Sequence, residues 1–138
     1  MRNMKINWMI LIAVLIQFST TIIYAQPKPA WVTPKDANLI KNPFAGDKST
    51  LAEAKVLYIS NCSPCHGLKG KGDGAAAAAL NPKPADHSSA QVQNETDGSL
   101  FWKISVGHTP MPPYKTVFTD KQRWELVNYI RTLSKSKK

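Results

Sequence analysis

The stretch Asn61-Cys62-Ser63-Pro64-Cys65-His66-Gly67 contains the only two cysteines of the 138-residue chain. Two residues separate the cysteines, and the histidine follows the second cysteine directly. This C-x-x-C-H pattern is typical of covalent haem attachment, in which two thiols bond to the haem and the adjoining imidazole binds its iron. The pattern therefore predicts that Cys62 and Cys65 carry a haem and that His66 is an iron ligand.

Three other chemistries could use such a pair of cysteines. A disulfide that closes so short a loop would stabilise the fold little, although an exported chain permits disulfides. A thioredoxin-type redox pair needs a βαβ context, which this sequence does not predict. A zinc site needs about four ligands, and beyond the motif only His87 and His108 are candidates. Haem attachment is the interpretation that we favour.

The first 25 residues have the layout of a secretory signal peptide. Arg2 and Lys5 precede an unbroken apolar run at 9–16, and the stretch closes on Ala25, an acceptable cleavage site. We expect a signal peptide at residues 1–25 and a periplasmic protein. A retained membrane anchor is the alternative, which would keep the protein close to the membrane, although polar residues dilute the second half of the segment.

The remaining sequence divides into a leader and one domain. Residues 26–48 contain four prolines and show no helical or alternating period, so they predict an extended strap or tether. Trp31 and Phe44 are its possible docking points, and a disordered leader is the alternative. Residues 49–138 have the length of a single domain.

This domain is predicted to be all-α, with three or four helices and long loops around the haem. Helices are expected at about 51–61, in a short turn at 75–80, at 98–106 with Asp97 as N-cap, and within 119–133. Capping boxes are predicted where Thr50 precedes Glu53 and where Thr119 precedes Gln122. No convincing strand pattern is found.

Met111 is the methionine that remains once the signal peptide is removed. Prolines on both sides stiffen its loop, and a thioether is a known axial ligand of haem iron. We therefore predict Met111 as the second iron ligand, opposite His66. His108 and His87 are the rivals, since bis-histidine ligation is also known. Both are interpreted as solvent-exposed loop residues.

Together these elements resemble the small monohaem class I c-type cytochromes, especially exported bacterial electron carriers. The resemblance covers about residues 50–134 and rests, in order, on LYISNCSPCHG, GKGDG, LNPKPAD, LFWKISVGHTPMPPY and WELVNYIRTL. It implies a cytochrome c-like fold with one covalently attached haem c. Cys62 and Cys65 would then carry this haem, with His66 as its proximal and Met111 as its distal iron ligand.

The resemblance also implies two packing details. A carbonyl within Asn81–Pro84 would accept a hydrogen bond from Nδ1 of His66. The first and last helices of the domain would cross, with Ala54 and Tyr58 against the Trp124–Tyr129 face. The family usually has glycine where Ala54 stands.

The predicted function is electron transfer without enzymatic activity, with single electrons shuttled between periplasmic or membrane redox partners. One alternative is a haem-containing subunit or domain of a respiratory oxidoreductase complex. Another is a ligand-binding or catalytic haem protein with a displaceable sixth ligand.

The charge of the chain suggests what kind of partner it meets. The formal net charge is +9, which suits an acidic protein, an anionic surface or nucleic acid. Export and the lack of an arginine-rich stripe exclude nucleic acid, so we expect acidic redox proteins such as components of a respiratory reductase or oxidase. The lysines predicted to steer docking are Lys69, Lys71, Lys83, Lys103 and Lys115.

Overall fold

A computed structural model describes residues 31–134 of the chain. The predicted signal peptide, the first part of the leader and the last four residues lie outside these described residues. Within them the chain is helical and has no strand, so the all-α prediction is confirmed. No helix in this part of the chain has the length and apolarity needed to cross a bilayer.

Six α-helices and one 3-10 turn make up the described chain, more than the three or four helices predicted. The helices are α1 (Lys35–Leu39), α2 (Leu51–Asn61), α3 (Ser63–His66), α4 (Ala90–Gln93), α5 (Asp97–Val106) and α6 (Asp120–Thr132), and the 3-10 turn is Ala77–Ala79. The additional helices α1, α3 and α4 have only four or five residues. Segments this short show too little periodicity to be predicted from the sequence.

Helices α2 and α6 pack against each other and form the centre of the fold. Ala54 and Tyr58, the two buried residues of α2, are both fully buried. The ring centroid of Tyr58 lies 5.0 Å from that of Tyr129 on α6. This crossing has the residues that the resemblance implied, and it holds the end of α2, where the cysteines begin, against the core.

The helix caps agree only in part with the sequence prediction. The capping box at α6 is present, with bonds in both directions between Thr119 and Gln122. The box predicted at Thr50 is wrong, because its φ and ψ of −98° and 1° are not extended and its hydroxyl makes no cap bond. Thr96 is the N-cap of α5 and accepts from the Ser99 N–H, so Asp97 lies in the first turn instead.

The described part of the leader lies against the domain. We call residues 31–47 the strap. Its helix α1 packs on α5, and Ala37 is buried there with 3% of its surface exposed. Asn42 Nδ2 donates to Asp97 Oδ2 at 3.0 Å and to Asn128 Oδ1 at 2.8 Å. Tertiary contacts therefore order a segment whose sequence predicted no helix.

Candidate functional site

A mostly apolar cleft lies where the end of α2, helix α6 and the loop after α5 meet. All four predicted site residues line it, namely Cys62, Cys65, His66 and Met111. The space between atoms is about 910 Å³, including the open mouth of the cleft. Ile104, Leu126 and Ile130 contribute apolar walls.

His66 ends helix α3 and is buried, with 9% of its surface exposed. Its Nδ1 donates to the carbonyl oxygen of Ala85 at 2.9 Å. Because a carbonyl can only accept, Nδ1 carries the proton and Nε2 keeps a free lone pair. Burial lowers the pKa of His66, and the bond to Ala85 offsets part of this effect. The ring is therefore held neutral, as a metal ligand must be.

The carbonyl that orients His66 lies one residue beyond the predicted stretch Asn81–Pro84. The backbone N–H of His87 donates to the Gly70 carbonyl at 2.6 Å, which fixes this segment in the register that places Ala85 opposite the His66 ring. Register between two loops depends on such long-range bonds, so the sequence could not give it.

The two cysteines are free thiols and both are half-buried. Burial, and secondarily Cys65, raises the pKa of the Cys62 thiol to about 12. A redox dithiol needs a thiol with a lowered pKa, so this environment disfavours thiolate chemistry. Within residues 31–134, no three side chains among His, Cys, Asp and Glu are grouped closely enough to hold a metal ion.

A short turn holds Met111 in the wall of the cleft. The His108 N–H donates to the Met111 carbonyl at 3.0 Å, and the Met111 N–H donates to the His108 carbonyl at 2.8 Å. Next along the loop, the Tyr114 hydroxyl donates to the Asn61 carbonyl at 3.0 Å. The loop is thereby fastened to the end of α2, directly before the cysteines.

His87 does not lie in solvent, contrary to the sequence prediction. Its ring stacks on that of His66 with centroids 4.0 Å apart and an interplanar angle of 17°. Its Nδ1 lies 3.0 Å from the hydroxyl of buried Tyr58. Burial, followed by the electrostatic interaction with His66, lowers the pKa of His87 to about 3. Because its ring stacks directly on that of His66, His87 lies beside this residue and not opposite it, which disfavours His87 as the second iron ligand.

His108 is exposed, as predicted, but it also borders the cleft. Its ring stacks on that of Trp31 with centroids 5.1 Å apart. Trp31 lines the cleft as well, although the sequence suggested only a docking point in the leader. Because Trp31 is far from the motif in sequence and lies in a segment without periodicity, only the fold could place it here.

The donor set of this cleft fits a haem. Two thiols, one neutral imidazole with a free Nε2 and one thioether line it. Sulfur and nitrogen donors of these types are the attachment and axial groups of haem proteins. The surrounding apolar side chains suit a large apolar ring.

Gly72 lets the chain pack closely against Pro84, the residue before Ala85, whose carbonyl orients His66. A Cβ at Gly72 would lie 2.4 Å from the Pro84 carbonyl oxygen, and its φ is +72°. We expect Gly72→Ala to lower the free energy of unfolding by about 1–2 kcal/mol from backbone strain and by a further ~1–3 kcal/mol from overpacking.

Gly46 provides a matched control for this prediction. Its φ is +78°, yet a Cβ there would meet nothing within 4 Å. Gly46→Ala should therefore show the strain alone. Denaturant unfolding of both variants measures the difference, and equal losses would contradict tight packing between Gly72 and Pro84.

Comparisons with known proteins were made for both the sequence and the fold. The profile of the family described as "Cytochrome C oxidase, cbb3-type, subunit III" matches residues 49–130. No curated protein matches the sequence.

Several solved structures are similar to this chain, including the following two. One is described as "KustC0563 c-type cytochrome" and has a TM-score of 0.50 and 26% identity, with 59% of this chain and 98% of that chain covered. The other is the "Kuenenia stuttgartiensis reducing HAO-like protein complex Kustc0457/Kustc0458", with a TM-score of 0.59 and 26% identity. There the alignment covers 88% of this chain and 57% of that chain, so this protein spans little more than half of its length.

Proposed function

This chain belongs to the cytochrome c family described as cbb3-type cytochrome c oxidase subunit III, and from this we propose that it is an exported electron carrier with one covalently attached haem c. Haem-based electron transfer is the function of the family. One observation supports covalent attachment and ligation of a haem by this chain. Cys62, Cys65, His66 and Met111 all line one cleft, and Nε2 of His66 is left free.

In this proposal the four side chains divide into two pairs. Cys62 and Cys65 would hold the haem through thioether bonds, and His66 Nε2 and the Met111 sulfur would be its axial ligands. A haem held in this way supplies one-electron exchange between ferrous and ferric iron. Because the protein would supply both iron ligands, no position would remain for a substrate, so we propose a carrier and not an enzyme.

The protein's own residues keep the ligands in place. The Ala85 carbonyl fixes the tautomer and the orientation of His66, as outer partners of metal-binding histidines do. The loop that carries Met111 is restrained by the backbone hydrogen bonds between His108 and Met111 and by the hydrogen bond from Tyr114 to Asn61. The apolar walls would exclude water from a bound haem, and ligation by a thioether would raise its reduction potential.

The purified mature protein tests this proposal. Mass spectrometry should show a chain that begins at Gln26 and carries one haem that survives denaturation. The ferric spectrum should contain the far-red band of sulfur-to-iron ligation, and the ferrous protein should bind negligible CO at neutral pH. Rapid CO binding would instead favour a ligand-binding or catalytic haem protein with a displaceable sixth ligand.

A subunit of a respiratory complex is the second candidate. Two findings favour it: the matching family is described as an oxidase subunit, and one similar structure is a complex. A retained N-terminal segment would then anchor the chain, with the leader as tether. Native electrophoresis of solubilised membranes distinguishes the two, because a subunit migrates with its complex whereas a carrier is recovered alone from the periplasmic fraction.

Acidic redox proteins are the partners that we propose, with exposed lysines steering their approach. Lys103 is not among the lysines that we propose for steering, because it pairs with Glu95 at 2.7 Å and only 18% of its side chain is exposed. Four lysines remain exposed, namely Lys69, Lys71, Lys83 and Lys115. Lys83 also lines the cleft.

Ionic strength should therefore control the rate of electron transfer. We expect the stopped-flow rate of oxidation by an acidic partner to fall on the order of 10-fold from low to high salt, because salt screens the attraction. Lys83→Gln should weaken this dependence, whereas Lys55→Gln, an exposed change on α2 away from the cleft, should leave it intact. A rate independent of salt would contradict electrostatic steering.

A further inference from the structure

The strap is bound to the domain by a partly buried polar network, although it precedes the family-matched residues 49–130. Asn42 donates to both Asp97 and Asn128, and Asn128 in turn donates to the Phe44 carbonyl at 2.7 Å. Asn128 is buried, with 7% of its surface exposed. Because buried amides need their partners, the surface of α6 depends on the strap.

Gly98 shows that α5 is also shaped to receive the strap. A Cβ at this position would lie 2.1 Å from the Ala37 carbonyl oxygen and 2.7 Å from that of Ile40. No side chain larger than hydrogen fits between the helix and the strap backbone. Glycine is therefore required at this position of α5 only because the strap packs against it.

The first described residue of the strap reaches the cleft. The Trp31 ring lies 5.1 Å from that of His108 and 6.1 Å from that of Trp102, and Lys103 Nζ lies 5.4 Å from its centroid. Since backbone bonds pair His108 with Met111, Trp31 packs on the turn that holds the methionine. Thr33 fastens the strap next to it through a 2.6 Å hydrogen bond to Ser99.

We propose that the strap contributes to the electron-transfer site and that Trp31 is a positioning residue for the loop that carries Met111. By stacking on His108, Trp31 holds the His108–Met111 turn in place and so disfavours replacement of Met111 by an external ligand. This inference rests on the proposed ligation by Met111. It adds a residue from outside the family-matched segment to the residues that decide what can reach the iron.

Imidazole binding to the ferric mature holoprotein tests this role. Trp31→Ala should raise the affinity for imidazole about 3- to 10-fold, because an aromatic pair stabilises its closed arrangement by that order. Trp31→Phe should restore most of the original affinity. Val32→Ala is the matched control, because Val32 is 75% exposed in the same segment, and it should leave the affinity within about twofold.

Gly98→Ala displaces the strap without removing Trp31. It should raise the imidazole affinity as Trp31→Ala does, and the double variant should rise no further than the larger single effect, since both act through one contact. If the effects of the two changes were fully additive in the double variant, the proposal that both act through the docked strap would be wrong.

The spectrum of the unmodified protein separates this proposal from the one on which it rests. If the far-red band is absent, ligation by Met111 is wrong and the role of Trp31 falls with it. If the band is present and Trp31→Ala leaves the imidazole affinity within about twofold, ligation stands and the strap proposal alone is overturned.

Discussion

Replacing Met111 with alanine should abolish the far-red band, allow the ferrous protein to bind CO and lower the reduction potential. A thioether stabilises ferrous iron, so its loss favours the ferric state. We expect a drop on the order of 0.1 V or more, because axial ligation spans about 0.8 V among haem proteins. Potentiometric titration and the ferric spectrum measure both effects.

Leu80→Ala is the matched control for this experiment. Leu80 also lines the cleft and is apolar, but it offers no donor atom. Its removal should leave the far-red band intact. If Met111→Ala keeps the original spectrum, the thioether is not the ligand, and His108, which borders the same cleft, becomes the leading candidate.

Changing both Cys62 and Cys65 to alanine should remove the covalent haem completely. Mass spectrometry under denaturing conditions should then show the bare polypeptide, whereas each single variant keeps one thioether and its haem. We also expect the double variant to lose its cooperative unfolding transition. Ile104, Leu126 and Ile130 line the cleft, and a domain this small buries too little apolar surface to leave such a cleft unfilled.

Ser63→Ala provides the control within the same short helix. The Ser63 hydroxyl donates to the Ile59 carbonyl at 2.7 Å in a solvent-exposed hydrogen bond, so its loss should cost no more than about 1 kcal/mol. The haem content should be unchanged. A double cysteine variant that still retained haem after denaturation would contradict thioether attachment.

The stronger sequence signals were those with local causes. Helix α6 was predictable because its apolar stripe and its Thr119–Gln122 box are short-range patterns, and both are present. The box at Thr50 has the same letters but fails, because the backbone entering α2 is not extended there. A capping motif therefore predicts a helix end only when the incoming chain has the right direction.

The histidines show where sequence reasoning stopped. His87 was interpreted as solvent-exposed because nothing beside it in the sequence is helical, yet it stacks on His66 and lies within hydrogen-bonding distance of Tyr58. His66 itself was identified because it directly follows the second cysteine of the C-x-x-C-H motif. The difference is that attachment chemistry requires contiguous residues, whereas a stacking partner can come from any distance along the chain.

The sequence by itself determined the chemistry that this protein carries: two thiols with an adjoining imidazole, one methionine between prolines, and helices able to surround a large apolar group. Only the tertiary structure decided which carbonyl orients His66, where His87 lies and that the strap brings Trp31 to the cleft. The physical reason is that haem attachment and helix formation depend on residues that are close together in the sequence. Loop register and strap docking instead depend on contacts such as that between Gly98 and Ala37, which exist only once the chain has folded.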